Sequence, residues 1–350
     1  MNSIIILLIF VSGFITNQEV VDSQNIGRQE EISDIHISFL GDVMIGGRVK
    51  DEIYKNGMEV VFGGSRKYLQ EKDAVVLNLE TTVTDTGKKQ NKTYTFKADK
   101  KHLVGLKQWN KNIFVNLANN HAGDYGVEGM KNTMSNLQEA GIEYFGIGNN
   151  ISEAHQVKIF TLQETKIGLI GQNCVSPQSF SAQENKVGIA FFDKELLKKE
   201  VIGARKQGVD IIVLNAHCGV EYTNGPSKKQ QDYYHYAIDV GVDLVIGHHP
   251  HWYQGIEKYK GKIIFYSLGD YIFDIFRGRR TQEGIIADVE IRNKKIQKII
   301  IQPVHIYGFG KTELATKKQE QFILDELQIL SDKLSDIKTI SQGYIFLESE

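Results

Sequence analysis

Short apolar runs alternate with amphipathic stretches along most of this chain. Ile35 to Leu40 (IHISFL), Asp73 to Leu79 (DAVVLNL), Asn112 to Leu117 (NIFVNL) and Val209 to Asn215 (VDIIVLN) have the length and β-branched content of buried strands. Each stops at polar residues: Gly41-Asp42, Glu80, Asn119-Asn120-His121 after Ala118, and His217 after Ala216. Shorter strands are predicted at Glu143 to Gly146, Asp243 to Ile246 and Lys262 to Ser267. Strand pairs are predicted at Lys158 to Leu162 with Lys166 to Ile170, and at Ile285 to Ile291 with Ile296 to Val304. Val127, Met130, Met134 and Leu137 recur at helical spacing before Gly141, and Asp193 to Gln207, Ser227 to Val240 and Thr316 to Leu334 also read as helices. Apolar strands alternating with helices predict an α/β protein with a largely parallel sheet, and the late hairpins a second sheet or an antiparallel edge. One domain is expected over 34–310, with a helical tail over 311–350 packed on it.

Composition adds little except at the N-terminus. With 41% hydrophobic residues among 350, the chain can bury a sizeable core. The 41 Lys and Arg nearly balance 43 Asp and Glu, so no nucleic-acid partner is expected. Ile4 to Ile15 (IIILLIFVSGFI) is continuously apolar, short for a bilayer span and of the length of a signal-peptide core. Val21-Asp22-Ser23 suits cleavage after Ser23, whereas the lack of Lys or Arg in Met1-Asn2-Ser3 leaves an uncleaved anchor or an apolar first strand as alternatives. No Cys follows the apolar run, which argues against a lipid anchor. Residues 1–23 are therefore read as a signal peptide or N-terminal anchor and 24–33 as a linker. The protein is expected at the cell surface, extracellular or tethered to the membrane. Cys174 and Cys218 each end a strand-like run; they are expected as two buried thiols, although export would permit a bond.

The chemistry gathers at the strand ends. In an open α/β sheet, ligands bind beyond the carboxyl ends of the strands. Asp42, Glu80, Asn120 with His121, His217, and His249 with His251 stand at five such ends. Singly, each has an ordinary explanation as a turn residue, a helix cap or a rim histidine. Together they are a metal-ligand pattern, because five of the 10 histidines (His121, His217, His248, His249 and His251) fall in three strand-end motifs. The mixture of carboxylate, amide and imidazole suits Mn, Zn, Fe or Co better than Ca or Mg. Six ligands (Asp42, Glu80, Asn120, His217, His249, His251) are more than a tetrahedral structural site needs. They fit one ion with open positions or two ions sharing a group, and either arrangement supports hydrolysis. His248 is one position off, so in an extended chain it points away from His249 and His251.

The motifs FLGDVMIGGRV, VLNLETTVT, NLANNHAGDYGVEGMKNT, AHCGVEY and GHHPHWYQGIEKYKGKIIFYSLGDYIF, in this order, resemble the CapA family. The resemblance runs from about Ile35 to about Val304 and is most specific in ANNH with its following DYG and in GHHPH followed by YSLG. It implies a role in bacterial capsule or poly-γ-glutamate synthesis. It also implies a fold similar to calcineurin-like metallophosphatases, a four-layer αββα sandwich of two mixed sheets flanked by helices. By position, Asp42 resembles the first ligand of those phosphatases, Asn120-His121 their Asn-His pair, His217 their lone strand-end His, and His249-Pro250-His251 their final His-x-His. Met44 departs from the pattern, standing where a metallophosphatase has a His ligand, and Glu80 stands where an Asp would bridge two metals. Cys218 replaces the usual Trp and Asp270 the usual Asn. A one-metal centre tolerates these changes more easily than a two-metal centre.

Roles follow from chemistry. His121 is the general-acid candidate, and Asp124 either orients it or caps the helix that begins at Gly126. Glu221 is a base, a further ligand or a solvated loop charge. Arg48, Asn78, Asp270 and Arg277 are assigned to substrate binding, with Arg277-Gly278-Arg279-Arg280 alternatively a plain exposed loop. Asp270 is expected at the rim, contacting the metal shell through water or His249. Tyr94, Trp252 and Tyr271 are expected to line the pocket or to belong to the core. A Gly-x-Ser-x-Gly elbow, a Walker motif and a strand-borne Gly-x-Gly-x-x-Gly are absent from the sequence. The expected activity is metal-dependent hydrolysis or transfer on a phosphoester or γ-glutamyl amide. The alternative is an accessory subunit that binds an anionic polymer for a membrane-bound synthase or exporter.

Overall fold

The structure, a computed structural model, describes residues 34–175 and 178–347; the signal-peptide and linker readings lie outside the described residues. Two mixed sheets form the body. The first contains β1 (Ile35–Val43), β2 (Ala74–Leu79), β3 (Ile113–Asn116) and β4 (Glu143–Phe145). The second contains β5 (Lys158–Leu162), β6 (Thr165–Asn173), β7 (Ile211–His217), β8 (Leu244–His248), β9 (Ile256–Tyr259) and β10 (Lys262–Phe265), in the order β9-β10-β8-β7-β6-β5. The chain then returns to the first sheet as β11 (Asp270–Ile272), β12 (Glu283–Arg292), β13 (Lys295–Tyr307), β14 (Lys311–Leu314) and β15 (Tyr344–Phe346). The first sheet runs β14-β13-β12-β1-β2-β3-β4, with β11 beside β1 and β15 beside β13.

Period-two alternation explains the layering. On β2, Ala74 and Val76 face the second sheet while Val75, Leu77 and Leu79 face helices. On β7, Ile211 and Val213 face the first sheet while Ile212, Leu214 and Ala216 pack on the other side. Both faces are apolar because both are covered, so these strands read as continuous runs. Helices α1 (Gly47–Asn56) and α2 (Gly126–Glu139) cover the first sheet, with Val49 and Ile53, and Met130, Met134 and Leu137, in that outer core. Helices α3 (Lys194–Lys206) and α4 (Lys228–Asp239) cover the second through Leu197, Val201, Tyr233, Tyr234 and Ile238. The result is the four-layer αββα sandwich.

Three expectations change. The first strand does not close at Gly41-Asp42. It continues to Val43, because Asp42 pairs with Asp270 of the parallel β11. Gly41 permits this: a Cβ there would lie 2.1 Å from the Gly269 carbonyl oxygen, and Gly269 itself has φ +74°. Residues 311–350 are not only helical. Helix α5 (Lys317–Ser331), preceded by a Thr316/Gln319 capping box, sends Ile323, Leu324 and Leu327 into the core between the sheets, and β14 and β15 join the first sheet beside β13. Finally, Cys174 and Cys218 are joined as a disulfide rather than being separate thiols. The parallel register that pairs Asn173 with His217 brings the next residues side by side, with Cα atoms 5.1 Å apart.

Candidate metal centre

The carboxyl ends of β1, β2, β3, β7 and β8 converge on one edge of the sandwich. An extra residue in β1 between Phe39 and Asp42, opposite Val76 and Asn78 of β2, makes a bulge that re-aims Asp42. Fully buried, Asp42 accepts hydrogen bonds from Asn78 Nδ2 (2.8 Å) and the His249 backbone N–H (3.0 Å). His248 Nδ1 lies 3.2 Å from its Oδ1. Burial works to raise the Asp42 pKa, but His248, His217 and His251 outweigh it and hold the carboxyl below its usual range.

His217 is fixed at both ring nitrogens, Nδ1 3.1 Å from Asn78 Nδ2 and Nε2 2.7 Å from Asn120 Oδ1. Asn78 Oδ1 in turn accepts from Asn116 (3.3 Å) and Asn119 (3.2 Å). After β8 the chain turns sharply: His249 and His251, flanking Pro250, have φ of 96° and 57°. Such left-handed backbone at a non-glycine is strained, and it places two imidazoles beside Asp42 and His217. Burial, together with neighbouring imidazoles, holds His217 well below its ordinary pKa and His249 at about 3. Burial would lower His251 too, but Asp270, Glu80 and Asp42 raise it to about 10.

Glu80 is the centre of the cluster. It is fully buried, and neither carboxylate oxygen has a hydrogen-bond partner among the described residues. His217 Nε2 and His121 Nε2 lie 3.5 and 3.8 Å from Oε1. Burial and the Asp42 charge push its pKa well above the carboxylate range. One ligand atom each from Glu80, His217 and His249 lie within 4.8 Å of one another, as do those from Asp42, Glu80 and His251. Glu80 belongs to both sets. A buried carboxylate without donors is costly, and His249 Nδ1 and Asp270 Oδ2 are buried and unpartnered in the same cluster. These are lone-pair atoms of the kind a divalent cation takes, and ligands about 2.1 Å from an ion lie roughly 3 Å apart. The ligand atoms of each set lie within 4.8 Å of one another, close enough to converge on one ion, so the residues fit a divalent cation.

Beside the cluster, a cleft of about 220 Å³ is lined by His121, His251, Arg48, Arg277, Glu221 and Tyr222, among others. His121 Nδ1 is 2.7 Å from Asp124 Oδ2, and Asp124 also accepts from the Phe96 backbone N–H (2.7 Å) and Lys92 Nζ (2.6 Å). Burial lowers the His121 pKa against the pull of Asp124. Arg48 packs over Phe309 and Arg277 over Tyr222, each 4.8 Å from the ring centroid.

Residues 36–275 match the model of the bacterial capsule synthesis protein PGA_cap. The chain belongs to this family. It is 31% identical over 274 residues to the PGA biosynthesis protein CapA of Bacillus subtilis (strain 168), covering 77% of this chain and 71% of that one. A hypothetical protein from Thermus thermophilus shares the fold at TM-score 0.50 and 14% identity, over 81% of this chain and 100% of that one. The calcineurin-like phosphoesterase YfkN from Bacillus subtilis is similar at TM-score 0.40 and 13% identity, over 81% of this chain and 90% of that one.

In this family member the six sequence-assigned ligands, Asp42, Glu80, Asn120, His217, His249 and His251, come together, and several other roles change. Asn78 is fully buried and hydrogen-bonded to Asp42, His217, Asn116 and Asn119, so it orients candidate ligands and does not line the cleft. Asp270 is buried, not on the rim, and its Oδ1 holds His251 Nδ1 at 2.8 Å rather than touching His249. Burial raises the Asp270 pKa to about 7. His248 does not point away, because the chain is not extended beyond it. Asp124 orients His121, and the N-cap position of α2 is held by Tyr125, whose side chain makes no capping hydrogen bond. Glu221 is exposed at the cleft, as is Tyr94; Tyr271 lies in the core with Ser65. The arginine run divides: Arg277 faces the cleft, Arg279 pairs with Glu283 and Glu326, and Arg280 is buried over Tyr253. Met44 is buried in the outer core, its sulfur accepting from the Gly46 N–H. Lys92 was not singled out in the sequence, because it is one of several lysines in a polar loop. Asn119 stood in plain view as the first amide of ANNH.

Proposed function

We propose that this chain is an exported, metal-dependent hydrolase or transferase of capsule or poly-γ-glutamate biosynthesis, acting on a phosphoester or γ-glutamyl amide of an anionic substrate. The observation that carries the proposal is Glu80, a buried carboxylate whose two oxygens lack donors among the described residues, at the meeting point of two ligand sets. Glu80, His217, His249 and Asn120 would hold one ion; Asp42 and His251 with Glu80 complete a wider shell or a second position. The mixed oxygen and nitrogen donors favour Mn, Zn or Fe. When bound, such an ion supplies an acidified water and polarises the scissile group.

The chain's own residues supply the rest. Arg48 and Arg277 hold the substrate's anionic group at the cleft, each fixed by an aromatic ring. His121 presents Nε2 toward the cluster and delivers a proton to the leaving group, with Asp124 fixing its tautomer through Nδ1. Asp270 does the same for His251. A second reading, an accessory subunit that binds an anionic polymer without turnover, is favoured by Met44, which leaves one position of a two-metal site without a donor. Elemental analysis of the purified protein, followed by turnover of a phosphodiester and of polyglutamate with added Mn, tests both. Metal with turnover supports the enzyme, metal with polyglutamate binding alone supports the accessory subunit, and absence of metal overturns both.

A further inference from the structure

The end of the sandwich opposite the metal centre carries its own chemistry. There, a groove of about 630 Å³ lies between two hairpin turns from different sheets. The β9–β10 turn contributes Lys258, Lys260 and Lys262, and the β12–β13 turn Lys294 and Lys295. In a chain whose formal net charge is −2, five lysines at one end are a marked local excess. The acidic groups in the groove are already engaged. Asp243 accepts from Arg205, Lys262 and the Ile212 N–H, and Asp210 accepts from the Lys166 N–H with Lys294 at 3.7 Å. Lys260 is paired with Asp239. Lys258 and Lys295 are exposed and have no ion pair among the described residues.

A second observation concerns where the chain enters this end. Asp34, the first described residue, is ion-paired with Arg292, and Arg292 pairs with Lys295 across the β12–β13 hairpin. The chain preceding Asp34, which carries the apolar run Ile4 to Ile15, therefore joins the fold at the lysine-bearing end. Basic residues near the point where a chain is attached to a membrane are drawn to anionic headgroups and strengthen the attachment.

We propose that this end is a docking surface for an anionic lipid bilayer. The lysines of the two turns contact lipid phosphates while the N-terminal segment tethers the chain. The metal centre then faces away from the membrane. The nine residues of β1 separate the two ends by about 30 Å, at roughly 3.3 Å per residue. Such a site works on substrate above the headgroups and not on the lipid surface itself. This inference is independent of what the metal centre does.

The test uses the full-length protein and co-sedimentation with phosphatidylcholine vesicles, with and without phosphatidylglycerol. The wild type should bind the anionic vesicles at least about tenfold more tightly, a preference that added salt removes. The variant Lys258→Gln/Lys295→Gln alters the two lysines without ion pairs. It should lose most of that preference while keeping the wild-type metal content, and Lys258→Arg/Lys295→Arg should restore it. Equal binding to both vesicles by the wild type, or an unchanged preference in the Gln variant, overturns the proposal. Soluble polyglutamate is the control ligand. If the Gln variant loses polyglutamate binding and keeps its vesicle preference, the groove is a polymer site and the membrane proposal fails.

Discussion

Two glutamates, Glu80 and Glu200, are both buried, and burial raises the pKa of both. Their surroundings differ in one respect. Glu200 on α3 is fully partnered, with Oε1 2.8 Å from His155 Nδ1 and Oε2 accepting from Gln172 Nε2 at 2.7 Å. Gln172 is itself satisfied by the Tyr233 hydroxyl at 2.7 Å. Among the described residues Glu80 has no donor at either oxygen, although imidazoles surround it. Burial alone does not mark a functional carboxylate, because a closed network such as that of Glu200 is a structural element. A buried carboxylate left without donors calls for a cation or a proton, and the ligand atoms around Glu80 suit a cation.

The largest expected effect separates these two residues directly. Glu80→Gln should lower metal affinity by at least about a hundredfold, beyond what loss of an outer-shell partner costs. The stability of the metal-free chain should change by less than about 1 kcal/mol, since no hydrogen bond is lost. Glu200→Ala should do the reverse, leaving metal content intact and destabilising by roughly 2–3 kcal/mol as His155 and Gln172 lose their partner. Chelator competition and urea unfolding with and without EDTA measure both. A Glu80→Gln protein that retains stoichiometric metal would remove the distinction.

Within the cluster, the comparison sharpens between ligands and their neighbours. His249→Ala should cost about a hundredfold in metal affinity, and His248→Ala about tenfold, because the His248 ring touches Asp42 without belonging to either ligand set. Equal losses in chelator competition would place His248 among the ligands.

The pH dependence should report the same asymmetry. His217 and His249 are held neutral well below pH 6.5, so they release few protons when metal binds. Glu80 and His251 hold their protons more tightly than free side chains, so each must release one. A group protonated in the free protein and deprotonated in the complex makes affinity rise with pH until its free pKa is passed. Affinity should therefore keep rising above about pH 6.5, the ordinary imidazole value. A plateau starting there would assign the proton release to unperturbed histidines.

Much of this was legible in the sequence, and the exceptions have physical causes. Strands β1, β2, β7 and β8 are readable because both faces are buried, and their ends carried Asp42, Glu80, His217 and His249 in view. What was missed depends on partners distant in the chain. Gly41-Asp42 looks like a turn until Asp270 pairs beside it, and no local pattern encodes that register. The Cys174–Cys218 bond follows from the same kind of parallel pairing. Lys92 carries no periodicity and no motif, and only the fold brings it onto Asp124. An extended chain would turn His248 away from the cluster, but His249 and His251 adopt left-handed backbone instead.

The smallest effect is expected at Asp270. Its carboxylate holds His251 Nδ1 and, through its charge, contributes to raising the His251 pKa to about 10. Asp270→Asn keeps an oxygen that can accept the same hydrogen bond but removes the charge. The fold and the metal should therefore be retained, because Asp270 belongs to neither ligand set. With its stabilising anion gone, the His251 imidazolium loses its proton at lower pH, so proton competition at that ligand weakens. The rise of metal affinity with pH should consequently level off at lower pH in Asp270→Asn than in the wild type. At the top of the range affinity should fall by no more than about tenfold, from looser orientation of the ring. Chelator competition at several pH values reads both quantities. Complete loss of metal would make Asp270 a direct ligand through its unpartnered Oδ2, and an unchanged pH profile would show that its charge does not govern His251.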